Sequence, residues 1–297
     1  MKRLIFSKGV KMIFYEVLIS IVNERESIRL RKERGALSLT NDPIFAKYRF
    51  CNVRRKHDRV SKWLLDNYYK CTTGDVWFRA LIARLINWPP TLIKLMEYNA
   101  IPHTVEEFDA KLFLNAMKDL EQLKQKTYSS AYIVYPTRMK GNTKAHNLCN
   151  YIIMPTIEIK DEIRKQVESK SIENVTTALA TSFGIQTFIA GQVAADLSYI
   201  KGQLDEATDL FTWAPMGPGS IRGLNRLHYR YLKDKITQEK FNSELLDIRN
   251  ALTGSNADLK DITLHDVQNV MCEYDKYMRA YLTQGAPRQL YKPEKAF

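Results

Sequence analysis

Several familiar signatures are missing from this 297-residue sequence. It contains no uninterrupted run of about 18 apolar residues, which argues against a transmembrane helix and a membrane partner. The GxxxxGK[ST] phosphate loop, the HExxH zinc motif and the GxSxG nucleophile motif are all absent. The five histidines form no i, i+4 pair, so we expect neither a metal site nor a cofactor.

Cysteine is scarce, and its four copies are scattered. They are Cys51, Cys71, Cys149 and Cys272, and no two of them form a CxxC pair. This spacing fits buried thiols in a reducing cytoplasm better than a disulfide framework. The apolar stretch at residues 12–22 is interrupted by polar residues and lacks a small-residue cleavage site, so it predicts an amphipathic helix and not a signal peptide.

Basic residues are in clear excess. The chain has 45 Lys and Arg against 33 Asp and Glu, which gives a formal net charge of +12. The densest stretches lie at residues 25–34 and 49–62. A balance of this kind favours a polyanionic partner, nucleic acid first, although a basic surface that is only solvated gives the same composition.

Apolar spacing and capping residues predict a mainly α fold with at most a minor β element. A long helix covers residues 11–32 and ends at Gly35, and a strong final helix covers 264–282 after the cap Thr263. The best strand candidate is 127–135. We expect one helical domain over 1–297, with a possible division into two lobes of about 1–135 and 136–297.

A basic segment follows a second helix start. Thr40 or Asn41 can cap this helix and Pro43 can occupy its first turn, and we expect it to continue from 44 to 53. On such a helix Arg49, Asn52 and Lys56 share one face, as do Arg55 and Arg59. Guanidinium groups suit phosphate and asparagine can bind a base edge, but charged helix faces are often only solvated.

Gly184 lies between two predicted helices. A turn at this point favours a residue with positive φ, and the amides of Gln186 and Thr187 at the start of the next helix can donate to an anion. The same helix carries two polar residues, Gln192 and Asp196, within an apolar stretch. The pattern is typical of a helix-hairpin-helix element that binds DNA phosphate, and also of an ordinary helix corner.

Residues 217–223 read Gly-Pro-Gly-Ser-Ile-Arg-Gly. We interpret them as a rigid loop whose amides at Gly217 and Gly219, together with Arg222, can bind a phosphate, and a structural turn is the alternative. Further along, the predicted helix at 266–277 carries Glu273 and Lys276, which can also be no more than an intrahelical ion pair worth about 0.3 kcal/mol.

Four segments in this order resemble the phage thymidine-hypermodification proteins. They are Thr40–Arg55, Phe183–Leu197, Gly217–Gly223 and Asp266–Lys276. The family comprises the amino acid:DNA transferases, formerly called α-glutamyl/putrescinyl-thymine pyrophosphorylases, and the related helical domain of 5-hydroxymethyluracil DNA kinases. The resemblance extends from about Phe14 to Tyr291 and implies a fold derived from helix-hairpin-helix DNA glycosylases.

The resemblance implies a reaction on double-stranded DNA that carries 5-hydroxymethyluracil activated as its pyrophosphate ester. An amine from an amino acid or polyamine displaces pyrophosphate at the 5-methylene carbon, and the modified thymine protects phage DNA from host nucleases. The implied location is the cytoplasm of the infected bacterial host. The absence of a nucleotide-binding phosphate loop favours the transferase over the kinase.

The chemistry of individual residues suggests their roles in this reaction. The catalytic group comprises Asp196 and Glu273 as alternative bases, with Gln192 and Lys276. The pyrophosphate-binding group comprises Arg222, Gly217, Gly219, Ser220, Asn225, Arg49, Asn52 and Arg55. The DNA-binding group comprises Gly184, Gln186, Thr187, Arg25, Arg29 and Arg59. Trp213 or Tyr48 can stack on an everted base.

Two other functions compete with this one. A DNA glycosylase of the helix-hairpin-helix class would place a catalytic aspartate after the hairpin, where Asp205 and Asp209 are found. A non-catalytic module would supply a basic DNA-binding domain to a partner 5-hydroxymethyluracil DNA kinase. The sequence leaves the amine and the oligomeric state open.

Overall fold

A computed structural model describes residues 8–70, 73–129 and 142–292, with side chains from residue 14 onward. Over these ranges the chain is mainly helical and has no strand, only one isolated antiparallel bridge between Tyr48 and Leu290. The mainly α prediction is therefore confirmed. Most of the strand candidate at 127–135 lies outside the described residues. No helix in the described ranges has the length and apolar content needed to cross a bilayer.

Fourteen α-helices can be described, joined by short turns, 3-10 segments and π segments. In chain order they are α1 (Lys8–Glu33), α2 (Pro43–Lys47), α3 (Arg59–Trp63), α4 (Val76–Ile86), α5 (Pro89–Glu97), α6 (Ala110–Gln122), α7 (Lys144–Leu148), α8 (Met154–Glu158), α9 (Lys160–Glu168), α10 (Ile172–Thr181), α11 (Thr187–Leu197), α12 (Pro218–Leu227), α13 (Gln238–Ser255) and α14 (Leu264–Tyr281).

The chain forms two compact units. The first joins the described residues up to Asp58 to those from Phe211 onward, and the second runs from Arg59 to Leu210. The sequence analysis allows two consecutive lobes that meet near residue 135. The two units have other bounds, because the first unit contains both ends of the described chain. The first unit thus holds α1, α2 and α12–α14, and the second holds α3–α11.

In the first unit, α1, α12, α13 and α14 enclose a core that includes Leu224, Phe241, Leu245 and Tyr274, each 0% exposed. The final helix begins as predicted, because the Thr263 hydroxyl accepts from the Asp266 amide at 3.1 Å. Burial of side chains of this size contributes about 1.5–3 kcal/mol each, which makes helix packing the main source of stability here.

The loop predicted at 217–223 is wrong, because Pro218 opens α12 and the helix continues to Leu227. Gly219 and Gly223 are one helical turn apart and face α14. A Cβ at Gly223 would lie 2.9 Å from the carbonyl carbon of Met271 and closer still to its oxygen. These glycines therefore let two helices approach closely, which is a different requirement from the rigid phosphate-binding loop that their composition suggested.

The helix predicted over 44–53 is also wrong. Asp42, and neither Thr40 nor Asn41, caps α2 by accepting from the amides of Ile44 and Phe45, and α2 ends at Lys47. Pro43 does occupy the first turn. The helix does not continue after Lys47: residues 55–57 form a separate 3-10 turn and α3 begins only at Arg59. The helical faces predicted to be shared by Arg49, Asn52, Lys56, Arg55 and Arg59 therefore do not exist.

The cause of this second error is long-range. Backbone amides at 49–52 donate to acceptors other than the carbonyls of a helix turn: that of Arg49 donates to the Gln289 carbonyl, that of Cys51 to the Glu273 carboxylate and that of Asn52 to the Asp58 carboxylate. Because these three amides have acceptors, the extended backbone does not leave them unpaired, and a helix would offer them no additional hydrogen bond.

In the second unit, α4 is buried along its whole length and packs against α11, itself buried from Ile189 to Leu197. Helices α10 and α11 are joined by residues 182–186, and Gly184 adopts φ +79° there. The prediction of positive φ at Gly184 is confirmed. The two helices pack against each other across this turn.

Candidate functional site

The predicted site residues fall into both units. Arg222, Glu273 and Lys276 lie in the first unit, with the other expected pyrophosphate-binding residues. Gly184 and Asp196 lie in the second unit, with Gln186, Thr187 and Gln192. The two sets of predicted residues therefore belong to different units.

The strongest concentration of charge in the first unit surrounds Asp275 on α14. Its carboxylate is 1% exposed and accepts from Nε of Arg222 at 3.0 Å and from Nε of Arg226 at 2.7 Å. Arg279, one turn further along α14, places its Nε 3.5 Å from the same carboxylate. One carboxylate thus meets three guanidinium groups, and the cluster has a net charge of about +2.

Two of these arginines remain accessible. The side chains of Arg222 and Arg279 are 40% and 34% exposed, whereas that of Arg226 is 9% exposed and also donates to Gln284. Asp275 engages the Nε atoms, so the terminal nitrogens of the two exposed guanidinium groups can still bind an anion. We call Arg222, Arg226, Arg279 and Asp275 the arginine cluster.

Spacing along the two helices explains part of the arginine cluster. Arg226 lies four residues after Arg222, and Arg279 lies four residues after Asp275, so each pair occupies one helix face. A helix at 218–227 places Arg222 and Arg226 on one face, and the predicted final helix at 264–282 does the same for Asp275 and Arg279. Among the members of the arginine cluster, Arg222 is the one that the sequence analysis predicts as a phosphate ligand.

The other residues of the 217–225 segment serve packing in the structure. Gly217 precedes α12 with extended backbone, φ −136°, and the buried Ser220 hydroxyl donates to its carbonyl oxygen at 2.9 Å. Asn225 is buried and donates to the Asp234 carbonyl at 2.9 Å. An amide nest around a phosphate is therefore not the arrangement of this segment, and its positively charged groups are Arg222 and Arg226.

Glu273 and Lys276 form the ion pair that their spacing suggested, with 2.6 Å between Nζ and Oε2. The same Oε2 atom accepts from the Cys51 amide at 3.0 Å. The Lys276 ammonium lies 4.6 Å from the centre of the Phe50 ring. Glu273 therefore links α14 to the extended segment 50–53 through one carboxylate oxygen.

Arg25 holds the opposite side of that segment. Its Nε donates to the Cys51 carbonyl at 2.8 Å, and its Nη2 donates to the Phe50 carbonyl at 3.3 Å and to the Asn52 side-chain oxygen at 2.7 Å. The Asn52 side-chain nitrogen donates to the His57 carbonyl at 2.7 Å. Arg25 and Asn52, predicted to bind DNA and pyrophosphate respectively, thus contact each other and fix the local backbone.

A pocket lies between α1, the segment 50–53 and α14. Its cavity volume is only about 20 Å³, room for roughly one water molecule. Its walls are formed by Ile21, Val22, Arg25, Phe45, Phe50, Cys51, Asn52, Val53, Asn269, Val270, Glu273 and Tyr274. Its lining is mainly apolar, with a few charged and amide groups, and it is far smaller than a typical small-molecule site. We call it the α1–α14 pocket.

Burial raises the pKa of both cysteines beside these groups. Burial and the charge of Glu273 raise the pKa of Cys51 to about 12, and the same two causes raise that of Cys272 to about 12. Both thiols therefore stay protonated at neutral pH, and neither is suited to act as a thiolate nucleophile. Among the described residues, no group of three or more His, Cys, Asp and Glu side chains is placed to hold a metal ion.

The remaining predicted arginines differ in their surroundings. Arg29 pairs with Glu26 at 2.6 Å and with Glu33 at 2.7 Å along α1. Arg55 is partly buried and pairs with Asp58. Arg49 is exposed, and Arg59 is partly buried at the start of α3. Of these four, Arg49 presents the most accessible charge to a phosphate.

In the second unit, Asp196 is 1% exposed and forms an ion pair with Arg84. Its Oδ2 accepts from Nε of Arg84 at 2.7 Å and from the Tyr69 hydroxyl at 2.8 Å, and its Oδ1 accepts from a terminal nitrogen of Arg84. Gln192 is buried one turn earlier. These contacts favour a structural role for Asp196, and its assignment as a base remains a prediction.

The turn between α10 and α11 presents exposed residues. Gln186, Thr187 and Phe188 at the start of α11 are exposed, as is Phe183 in the turn. Their surroundings are compatible with a contact to DNA, and the role expected for Gly184 and its neighbours remains a prediction.

The aspartates considered for a glycosylase are engaged within the second unit. Asp209 accepts from the amides of Ile172 and Glu173 at 2.7 and 2.9 Å, so it caps α10. Asp205 accepts from the Gly202 amide at 2.9 Å. In the first unit Trp213 is 7% exposed, which leaves little of its ring for stacking on a base, whereas Tyr48 is only partly buried.

Comparison with known proteins matches residues 12–286 to the model of the 5-hmdU DNA kinase helical domain. The chain is also 24% identical, over 297 aligned residues, to a 5-hmdU DNA kinase of Bacillus phage SP10. That alignment covers 88% of this chain and 44% of the kinase, so the chain spans less than half the length of that relative. No solved structure matches the chain.

Proposed function

This chain belongs to the family of the 5-hmdU DNA kinase helical domain, and from this premise we propose that it is a transferase acting on thymidine-derived bases of phage DNA. The proposed substrate is DNA that carries the pyrophosphate ester of 5-hydroxymethyluracil. A neutral amine attacks the 5-methylene carbon, the new C–N bond forms, and the C–O bond to pyrophosphate breaks. Pyrophosphate leaves with the bonding electrons, and a base takes the proton from nitrogen.

The arginine cluster carries this proposal. A leaving pyrophosphate gains negative charge as the C–O bond breaks, and donors fixed in advance around that charge lower the barrier. Guanidinium groups suit the task because each offers two parallel N–H donors to phosphate oxygens. Three of them around one buried carboxylate leave a surplus of positive charge, part of it on the exposed side chains of Arg222 and Arg279.

Glu273 is the better placed of the two proposed bases. Asp196 accepts three hydrogen bonds at a site that is 1% exposed, which leaves it little capacity to accept a proton from a substrate. Glu273 is partly exposed, and its two described partners both contact Oε2, so Oε1 can accept a proton. It also lies on α14, the helix that carries Asp275 and Arg279.

One observation favours a second candidate, a DNA-binding domain without chemistry of its own. Both carboxylates proposed as bases are ion-paired, Asp196 with Arg84 and Glu273 with Lys276. A binding domain needs only the positive surface, and the arginine cluster would then contact the DNA backbone. The glycosylase alternative gains no such support, because Asp205 and Asp209 hold backbone amides.

Mass spectrometry of nucleosides tests the proposal. The full chain is incubated with pyrophosphorylated 5-hydroxymethyluracil DNA and a mixture of amino acids and polyamines, and the DNA is then digested. A transferase produces an amine-bearing thymidine and one pyrophosphate per product. Free base indicates a glycosylase, and unchanged DNA with retained binding indicates the non-catalytic domain.

Matched variants locate the chemistry. Arg222→Gln is expected to lower the transfer rate about 10²-fold, the scale seen when one donor to a developing charge is removed. Lys118→Gln removes one exposed charge from α6 and is expected to leave the rate unchanged. Equal rates for both variants would exclude Arg222 from the reaction.

A further inference from the structure

We propose that the phosphate backbone of duplex DNA binds the first unit at four exposed cations that the pairing of Tyr48 with Leu290 brings together. We call them the four-cation surface: Lys47, Arg49, Arg288 and Lys292. The proposal rests on DNA being the substrate, as the proposed function has it, and adds the place where the backbone beside the target base is bound.

The two units differ strongly in charge. Within the bounds of the first unit the sequence has 27 Lys and Arg against 16 Asp and Glu, which gives +11. Within the bounds of the second unit it has 18 against 17, which gives +1. Because the sequence-independent part of DNA binding depends on the number of cations that neutralise phosphates, the first unit is the one that we expect to bind the DNA backbone.

Two segments that are distant in the sequence meet at the four-cation surface. The Arg49 amide donates to the Gln289 carbonyl at 3.0 Å, and the Tyr291 amide donates to the Lys47 carbonyl at 3.0 Å. These two bonds flank the isolated antiparallel bridge, across which opposite Cα atoms are about 4.5–5.5 Å apart. All four cations are within two residues of the bridge, so their Cα atoms lie within about 15 Å of one another.

No carboxylate pairs with these four cations in the part of the chain that the structure describes, and all four are exposed. The stretches 43–57 and 276–293, which contain them, have no acidic residue. By contrast, Arg29, Arg54 and Arg55 of the same unit form ion pairs with carboxylates. The four-cation surface therefore keeps its full positive charge for a phosphate backbone.

Two tyrosines lie among the cations. Tyr48 is partly buried, and the Lys47 ammonium lies 5.3 Å from the centre of its ring. Tyr291 is also partly buried and directly precedes Lys292. Tyrosine hydroxyls are among the groups that donate to phosphate oxygens, and cations interleaved with aromatic rings are typical of nucleic-acid surfaces. This combination favours DNA over a surface that is only solvated.

The four-cation surface adjoins the residue that we propose as the base. From Arg49 the chain continues through Phe50 to Cys51, whose amide donates to the Glu273 carboxylate at 3.0 Å. Two residues of chain span at most about 7 Å. A phosphate bound by Arg49 would therefore place a neighbouring nucleotide near Glu273, where the proposed chemistry needs it.

Fluorescence anisotropy of the full chain with a short labelled duplex, measured over a range of salt concentrations, tests this proposal. The test variant combines Lys47→Gln, Arg49→Gln, Arg288→Gln and Lys292→Gln. A matched control with the same loss of charge uses exposed lysines of the second unit and combines Lys62→Gln, Lys111→Gln, Lys118→Gln and Lys165→Gln. If each of the four cations contacts one phosphate, the steepness of log K against log salt concentration falls by about 3–4 in the test variant and stays nearly unchanged in the control.

A second variant separates the loss of charge from damage to the fold. It combines Lys47→Arg, Arg49→Lys, Arg288→Lys and Lys292→Arg, which keep all four charges, and we expect it to keep the wild-type slope. Circular dichroism compares the folding of all variants, and if the combined glutamine variant does not fold, the four single substitutions replace it, each with an expected change of about 0.9. An unchanged slope in the glutamine variants, or an equal change in the control, would overturn the proposal.

This result is independent of the transferase test, because binding of an unmodified duplex needs no activated base. Transfer by a chain whose glutamine variant keeps the wild-type slope refutes the four-cation surface and leaves the transferase intact. A reduced slope in the glutamine variant of a chain that transfers no amine supports the surface and refutes the transferase.

Discussion

Replacing Gly223 by alanine is expected to destabilise the first unit strongly, because α12 and α14 are in direct backbone contact at this point. The new Cβ would lie 2.9 Å from the carbonyl carbon of Met271, nearer to its oxygen, and 3.2 Å from its Cβ. Two of these neighbours are backbone atoms, so no side-chain rotation relieves the collision, and the helices must separate.

The magnitude is the difference between two effects. Alanine is favoured over glycine within a helix by about 1 kcal/mol. Overpacking typically costs 1–3 kcal/mol, and a collision with backbone is expected at the upper end or above it. A net loss of about 2–3 kcal/mol in the free energy of unfolding follows, which corresponds to a fall of roughly 4–12 °C in Tm.

Two other glycines provide graded controls. A Cβ at Gly219 would lie 3.0 Å from Sγ of Cys272, a side-chain atom that can move, so Gly219→Ala should cost less. Nothing lies within 4 Å of a Cβ at Gly254 on α13, so Gly254→Ala should stabilise by about 0.5–1 kcal/mol. Urea unfolding followed by circular dichroism measures all three. Unchanged or increased stability of Gly223→Ala would refute the close packing of α12 on α14.

Three further predictions concern charge. Asp196→Asn leaves a buried guanidinium without its counter-charge and should destabilise the protein by about 3–5 kcal/mol in urea; near-native stability would contradict the buried ion pair. Burial raises the pKa of Glu26, but the hydrogen bond and charge of Arg29 outweigh this and lower it below its ordinary 4.5. The resulting stability is present above about pH 4.5 and is lost as pH falls through the folded-state pKa, so Glu26→Gln should flatten acid unfolding curves, and parallel curves would disprove the assignment. If Arg222 contacts a phosphate, Arg222→Gln should reduce by about 1 the steepness with which log K for DNA binding falls against log salt concentration. Fluorescence anisotropy measures this slope, with Lys118→Gln as the control, and an unchanged slope would exclude the contact.

The features of helix ends and turns that depend only on neighbouring residues were predicted well from the sequence. The Thr263 cap of α14, the Pro43 position in α2 and the positive φ of Gly35 and Gly184 are all local requirements, and the structure shows each of them. The extended segment after Lys47 could not be predicted in this way, because its amides bind carboxylates elsewhere in the chain.

The candidate site was predicted only in part for the same reason. Arg222 and Glu273 were named from their segments, and both belong to groupings of charge in the structure. The grouping of Arg226 and Arg279 around Asp275 depends on α12 packing against α14, and that packing depends on glycines whose composition suggested a loop. Which helices pack against each other is decided by the tertiary structure and cannot be predicted from the sequence pattern of either helix alone.

The most direct test of the central claim is the nucleoside composition of pyrophosphorylated 5-hydroxymethyluracil DNA after incubation with the full chain and a mixture of amino acids and polyamines. We expect a thymidine that carries one of these amines through nitrogen at its 5-methylene carbon, formed in equal amount with pyrophosphate and reduced about 10²-fold by Arg222→Gln. Intact pyrophosphorylated nucleoside under conditions where the chain is folded and bound to the DNA would contradict it.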